Sequence, residues 1–136
     1  MKKIKITELD YVRLTKVLLL ARDRNDIDVK NISDLAFEIN RAEKIDSKNI
    51  SPKTVTMNSV VKLLNEETKN QIIIKIVYPD QADFKKGFVS ILSPLGTALL
   101  GYEKGDKILF NAPKGKVKMV IQDIKYQPES NGDYLI

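Results

Sequence analysis

Ser93-Pro94-Leu95-Gly96-Thr97-Ala98-Leu99-Leu100-Gly101 is the stretch from which the fold of this chain can be read. A strand-like run, residues 88–92, leads into it, and Tyr102-Glu103-Lys104-Gly105-Asp106 leads out toward another strand. Ser93 suits a helix N-cap, and Pro94 suits the first helical position, where its missing N–H needs no partner. Gly101 can take the left-handed conformation that closes a helix. The result is a helix of about two turns, apolar at Leu95, Ala98, Leu99 and Leu100. So short a helix is unstable alone and must be held by the strands around it. It carries no side chain suited to catalysis.

Working outward, the C-terminal part reads as strands. Val55, Met57, Ser59, Val61 and Leu63 alternate with Thr54, Thr56, Asn58 and Lys62, as in a half-buried strand. Residues 72–78 form a β-branched run stopped by Pro79. Residues 88–92 are the third strand. Residues 107–110 and 116–121 pair as a hairpin around Ala112-Pro113-Lys114-Gly115. In the last strand the apolar positions shift from Val117, Met119 and Ile121 to Ile124 and Tyr126, which predicts a bulge near Gln122-Asp123.

Upstream the pattern is helical. Thr7-Glu8-Leu9-Asp10 resembles a capping box, with Asp in place of Glu or Gln. Leu9, Val12, Lys16, Leu19 and Leu20 mark one face of the first helix; Tyr11, Leu14, Val17, Leu18 and Ala21 widen its apolar surface. A second helix is expected from Ser33 to Ile45, capped by Asn31 or Ser33, with Leu35, Ile39 and Ala42 inward and Ala36 beside them. The short polar connection, residues 23–30, makes the two an antiparallel hairpin. Residues 46–53 read as a linker. The expected architecture is α+β: a short helical hairpin, or coiled coil, over residues 1–50, then an antiparallel sheet curled on a small helix over 51–136.

Composition narrows the chemistry. The 136 residues include no Cys and no His, which removes disulfides, Cys/His zinc sites and histidine-based nucleophilic systems. The net charge of +5 is spread among interleaved Lys, Glu and Asp, as on a solvated mixed surface. No run of about 18 apolar residues is present, and no apolar core with a cleavage site follows the basic N-terminus. A cytoplasmic monomer without membrane contact, cofactor or resident metal is the expectation.

The order strand, Ser-Pro-x-Gly-x-Ala-Leu-Leu-Gly, Gly-Asp, strand, Ala-Pro-x-Gly, strand, Ile-x-Tyr resembles the C-terminal domain of the Gre transcript cleavage factors over residues 55–127. Residues 54–59, Val77-Tyr78-Pro79 and the tail Tyr126-Gln127-Pro128-Glu129 with Gly132-Asp133-Tyr134-Leu135 are similar to a short subgroup of that family. So is Glu38-Ile39-Asn40-Arg41-Ala42. The subgroup is Rnk, the regulator of nucleoside diphosphate kinase. The resemblance implies an FKBP-like domain docked at the rim of the RNA polymerase secondary channel, through a corner carried here by Ser93 and Pro94. Where the cleavage factors have Asp or Asn before that Ser, this chain has Leu92.

Gre factors place two acidic side chains at the end of a long coiled coil, where they help hold a catalytic Mg²⁺. Carboxylates suit that task, since Mg²⁺ takes oxygen ligands and keeps waters that become nucleophiles. Asp23, Asp26 and Asp28 lie near the turn of this hairpin, but the Asp-x-x-Glu-aromatic pattern of the cleavage-factor tip is absent. A helix from Thr7 to Arg24 is about 27 Å long, shorter than the cleavage-factor arms. The expected function is therefore a non-enzymatic polymerase-binding regulator that competes with Gre-type factors, the alternative being a transcript-cleavage-stimulating factor using the tip aspartates. Two other classes stand beside it. One is a prolyl isomerase, which only fold analogy supports. The other is a nucleic-acid-binding module with a weak DNA contact through Lys85, Lys86, Lys114, Lys116 and Lys118. Residues 127–136 are expected to pack Tyr134, Leu135 and Ile136 back on the body.

Overall fold

Thr7 starts the first helix as its sequence predicts. Its side chain accepts a hydrogen bond from the Asp10 N–H at 2.9 Å, and α1 runs from Glu8 to Ala21. Ahead of it lies a strand that the sequence did not signal, β1 (Lys5–Thr7). In this computed structural model, which describes residues 2–134, β1 pairs in parallel with β2 (Glu43–Ile45). The two strands close the base of the helical hairpin. The second helix, α2, spans Val29–Arg41 rather than Ser33 to Ile45, and neither Asn31 nor Ser33 caps it. Asp28 does so, accepting from the Lys30 N–H at 2.9 Å. Its C-terminal end is drawn away because the edge of β1 offers a better partner: the Glu43 N–H donates to the Ile4 carbonyl at 2.9 Å.

The apolar face of α1 also differs from the first stripe named above. Leu14, Leu18 and Ala21 are buried, with Tyr11 and Val17 packed beside them, while Val12, Leu19 and Leu20 face solvent. The face that meets α2 and the sheet wins because Leu35, Ile39 and Ala42 come from the other side, as their spacing predicts.

The remaining strands form one five-stranded sheet in the order β5-β4-β3-β7-β6. They are β3 (Val60–Leu64), β4 (Gln71–Val77), β5 (Phe88–Ser90), β6 (Lys107–Ala112) and β7 (Gly115–Tyr126). The four strands from β4 to β6 are antiparallel, but β5 runs parallel to β4, so the sheet is mixed. Two single-turn helices between β4 and β5, Pro79–Gln81 and Phe84–Lys86, carry the chain back so that β5 lies beside the C-terminal half of β4. The strand expected from Val55 begins only at Val60. Val55 and Met57 are buried from a turn, in which Thr56 N–H donates to Ser59 Oγ at 2.9 Å and Asn58 has φ of 66°. Apart from isolated backbone bonds, such as the Thr54–Glu103 bridge, this segment reproduces strand-like alternation without a continuous ladder.

The bulge in β7 lies where the phase shift places it. Lys62 pairs with Asp123 and Leu63 with Ile121, leaving Gln122 unopposed; a second shift, between Val61–Ile124 and Val60–Tyr126, skips Lys125. The extra residues let Ile121 and Ile124 both turn toward the core. One hydrophobic cluster joins β1, both long helices, the sheet and the helix at 94–99. At the C-terminal end, the Gln127 side-chain amide donates to the Ser51 and Thr54 carbonyls at 2.8 and 2.7 Å, tying the tail to the 51–54 segment. Tyr134 is half-buried, in line with a tail that folds back; Leu135 and Ile136 lie outside the described residues.

Candidate functional site

The corner at 93–101 is built by local chemistry. Ser93 caps α3 (Pro94–Leu99), its hydroxyl accepting from the Gly96 N–H at 3.1 Å and donating to the Ser90 carbonyl at 2.7 Å. Thr97 donates to the Ile91 carbonyl at 2.8 Å, pinning the helix to the end of the third-strand segment. Gly101 has φ of 84°, and its N–H donates to the Val55 carbonyl at 2.9 Å. Ser93 Oγ is therefore engaged inside the fold, and what the corner presents to solvent is the exposed ring of Pro94. Leu92, at the position where the resemblance would put an acidic or amide residue, is buried in the core. Ser93→Ala should lower unfolding free energy by about 1 kcal/mol through loss of the cap, read as a shift in urea midpoint with unchanged slope.

Pro94 stands at the rim of a groove of about 600 Å³ between α2, α3 and β6. Phe37, Tyr102, Leu109 and Phe110 line it, with Asp34 and Glu38 on its α2 side. Phe37 and Leu109 are each more than half exposed. Sequence reasoning missed this groove. Phe37 was its one visible signal, an aromatic placed off the Leu35–Ile39 stripe.

The tip residues are not brought together. Asp26 is held by Arg24, whose guanidinium makes paired hydrogen bonds to it at 2.9 and 2.5 Å, and this lowers the Asp26 carboxyl below its ordinary value. Asp28 is the cap of α2. Asp23 lies in the exposed turn between the helices. Among the described residues no group of three or more Asp or Glu converges as a metal site. At about 1.5 Å per residue the 14 residues of α1 span about 21 Å, shorter than the length expected from Thr7 to Arg24. The five lysines named above do not form one patch either. Lys85 and Lys86 sit in the turn at 84–86, Lys114 is in the β6–β7 turn, and Lys116 and Lys118 lie on β7.

Where the arm meets the sheet, Asp10 is buried. Its carboxylate accepts from the Met57 N–H at 3.1 Å; burial pushes its pKa up to about 7, opposed chiefly by that hydrogen bond and less by Arg13, and aided by the nearby Glu129 charge. Glu129 itself accepts from the Thr56 hydroxyl at 2.7 Å. Burial likewise raises the Tyr78 phenol to about 12.

Comparison with known proteins gives this geometry a context. Residues 50–126 match the family model described as transcription elongation factor, GreA/GreB, C-term. Transcription elongation factor GreA of Desulfotalea psychrophila is 27% identical, over 90% of this chain and 85% of the relative. That of Pelobacter propionicus is 35% identical, over 79% of this chain and 68% of the relative. A solved structure, prokaryotic transcription elongation factor GreA/GreB from Nitrosomonas europaea, shares 35% identity with a TM-score of 0.75, covering 93% of this chain and all of the other. These relatives carry the elongation-factor name, which weighs toward an elongation factor and leaves the narrower likeness to the kinase regulator an expectation. By the extent of the family match and the identity and coverage of these relatives, the chain belongs to the GreA/GreB family of transcription elongation factors.

Proposed function

We propose that this protein binds RNA polymerase at the rim of its secondary channel through the Pro94 corner, and that the hairpin enters the channel without stimulating transcript cleavage. Family membership supports the polymerase as partner. The observation that carries the absence of cleavage is the tip: Asp26 is neutralised by Arg24, Asp28 caps α2, and the arm is about 21 Å long. A protein so placed competes with other channel-binding factors. The exposed Pro94 ring beside the apolar groove provides a surface that a partner can cover.

A second reading, transcript-cleavage stimulation, is favoured by the names of the relatives and keeps Asp23 as an exposed tip carboxylate. The two separate in one assay. On stalled elongation complexes the first reading predicts no shortening of the transcript, and inhibition of shortening by an added cleavage factor. Transcript shortening that is lost with Asp23→Asn establishes the second. A pull-down with core RNA polymerase tests docking itself. Pro94→Ala should weaken capture about tenfold, the effect of removing a contact worth about 1.4 kcal/mol. Capture indifferent to Pro94→Ala and to a competing cleavage factor would sink the docking model.

A further inference from the structure

The sheet register puts five lysines on the face of the sheet turned away from the hydrophobic core. Lys118 lies opposite the exposed Leu109, and Lys107 opposite Val120; Lys62 lies beside Ile73 and Asp123, Lys75 beside Phe88, and Lys116 shares the parity of Lys118. The inward set on the same strands, Val61, Leu63, Ile74, Ile76, Ile108 and Ile121, is buried, whereas the lysine face mixes the lysines with Val60, Leu64, Ile73, Leu109 and Val120. Asp123 is the one carboxylate that the register places on the outer face among the described residues, and Lys104 and Lys125 both neutralise it at 3.4 Å. Lys107 pairs with Glu66 at 3.3 Å from the neighbouring turn. Lys62, Lys116 and Lys118 have no carboxylate within ion-pair distance among the described residues.

We propose that this outer face binds the phosphate backbone of a nucleic acid. Charge complementarity selects the occupant: a patch with a lysine on four of its five strands and a neutralised carboxylate suits a polyanion. Lys116 and Lys118 stand about 7 Å apart along β7, and on neighbouring strands the lysines are offset diagonally rather than directly opposite, a spread array of point charges rather than a pocket for one small anion. Between them Ile73, Leu109 and the Phe88 ring offer apolar surface to sugars and bases. Lys75 Nζ sits 5.3 Å from the centre of that ring, which keeps the charge near the aromatic surface. Contacts of this kind give affinity without sequence choice. Lys107 and Leu109 also line the groove beside Pro94, so the two surfaces meet at β6; Lys62, Lys75, Lys116 and Lys118 lie outside that groove, and the inference does not depend on the docking model.

Fluorescence anisotropy with a labelled 20-nucleotide single strand, and with the duplex of the same sequence, tests this on the full chain. With about four lysines on phosphates, duplex affinity should fall about a hundredfold between 50 and 200 mM salt, and single-strand affinity somewhat less. Lys116→Glu with Lys118→Glu, both at exposed positions, should weaken binding at least tenfold with an unchanged melting temperature. Lys62→Gln should reproduce part of the loss, and Lys16→Glu with Lys48→Glu, away from the sheet, should leave affinity near that of the parent. Tighter binding of one arm identifies single-stranded or duplex nucleic acid as the preferred form. Absence of binding at 50 mM salt, equal loss in the two double variants, or equal competition by poly-glutamate, which would indicate an acidic protein partner, overturns the proposal.

Discussion

Gly96→Ala is expected to destabilise the fold by about 3 kcal/mol or more, enough to unfold a large share of a marginally stable domain. A Cβ at this position would stand 2.3 Å from the Ser90 carbonyl oxygen and 3.0 Å from the Ile91 Cα, both backbone atoms that cannot swing aside. To accept it, α3 must lift from the third-strand segment. That would break the Thr97–Ile91 hydrogen bond and open the packing of Leu99 and Leu100, both fully buried. Gly105→Ala is the informative control. Its φ is 96° but nothing lies within 4 Å of the added carbon, so it should cost only about 1–2 kcal/mol of backbone strain. Urea unfolding of the two variants side by side measures the difference. Equal losses would mean that close packing under α3 contributes little.

The second large effect concerns Asp10. The ordinary carboxyl value is 3.8, and burial raises it to about 7 in the folded protein. Between those values the folded state holds a proton that the unfolded chain has released, so stability falls as pH rises through this window. Below it both states are protonated and the penalty is absent; above it both are ionised and the penalty is complete. A shift of this size corresponds to about 4 kcal/mol across the window at most. Asp10→Asn keeps an acceptor for the Met57 N–H and carries no charge, so it should flatten this dependence. It should also raise stability at pH 8 by about 3 kcal/mol while changing little at pH 4. Thermal or urea unfolding of parent and variant across pH 4–8 checks it; parallel curves would rule out Asp10 as the source.

What could be read from sequence followed from how local the governing forces are. The Ser93 cap, Pro94 at the first helical position and the left-handed Gly101 each depend on a few adjacent residues, and all three appear in the structure. The β7 bulge was legible because an extra residue shifts every later apolar position by one. The parallel pairing of β1 with β2 was not. Three-residue strands show no periodicity, and their partner lies beyond the whole helical hairpin. The direction of β5 was hidden for a related reason, since it depends on how residues 78–87 return across the sheet. At the site, sequence located the Ser-Pro corner but could not show that the Ser93 hydroxyl is turned inward, nor that Phe37 and Leu109 frame a groove beside Pro94. Sequence grouped the aspartates near the turn as one candidate tip; geometry assigns Asp26 to Arg24 and Asp28 to a helix end.

The parallel strands at the foot of the hairpin have a consequence for how such an arm can vary. Lys5–Thr7 and Glu43–Ile45 fix where the two helices leave the body, and the Asp10–Met57 hydrogen bond fixes their orientation there. Beyond Ala21 they are joined by a short turn, largely exposed except for Ile27, which packs against the core. Matched turns can therefore be inserted at the far end of both helices, each adding about 5.4 Å, without disturbing the foundation, whereas deletion would remove buried Leu18 or Ala21 from the core. The hairpin is a ruler clamped at its zero mark, and its length can drift with what its far end needs to reach while the body stays unchanged.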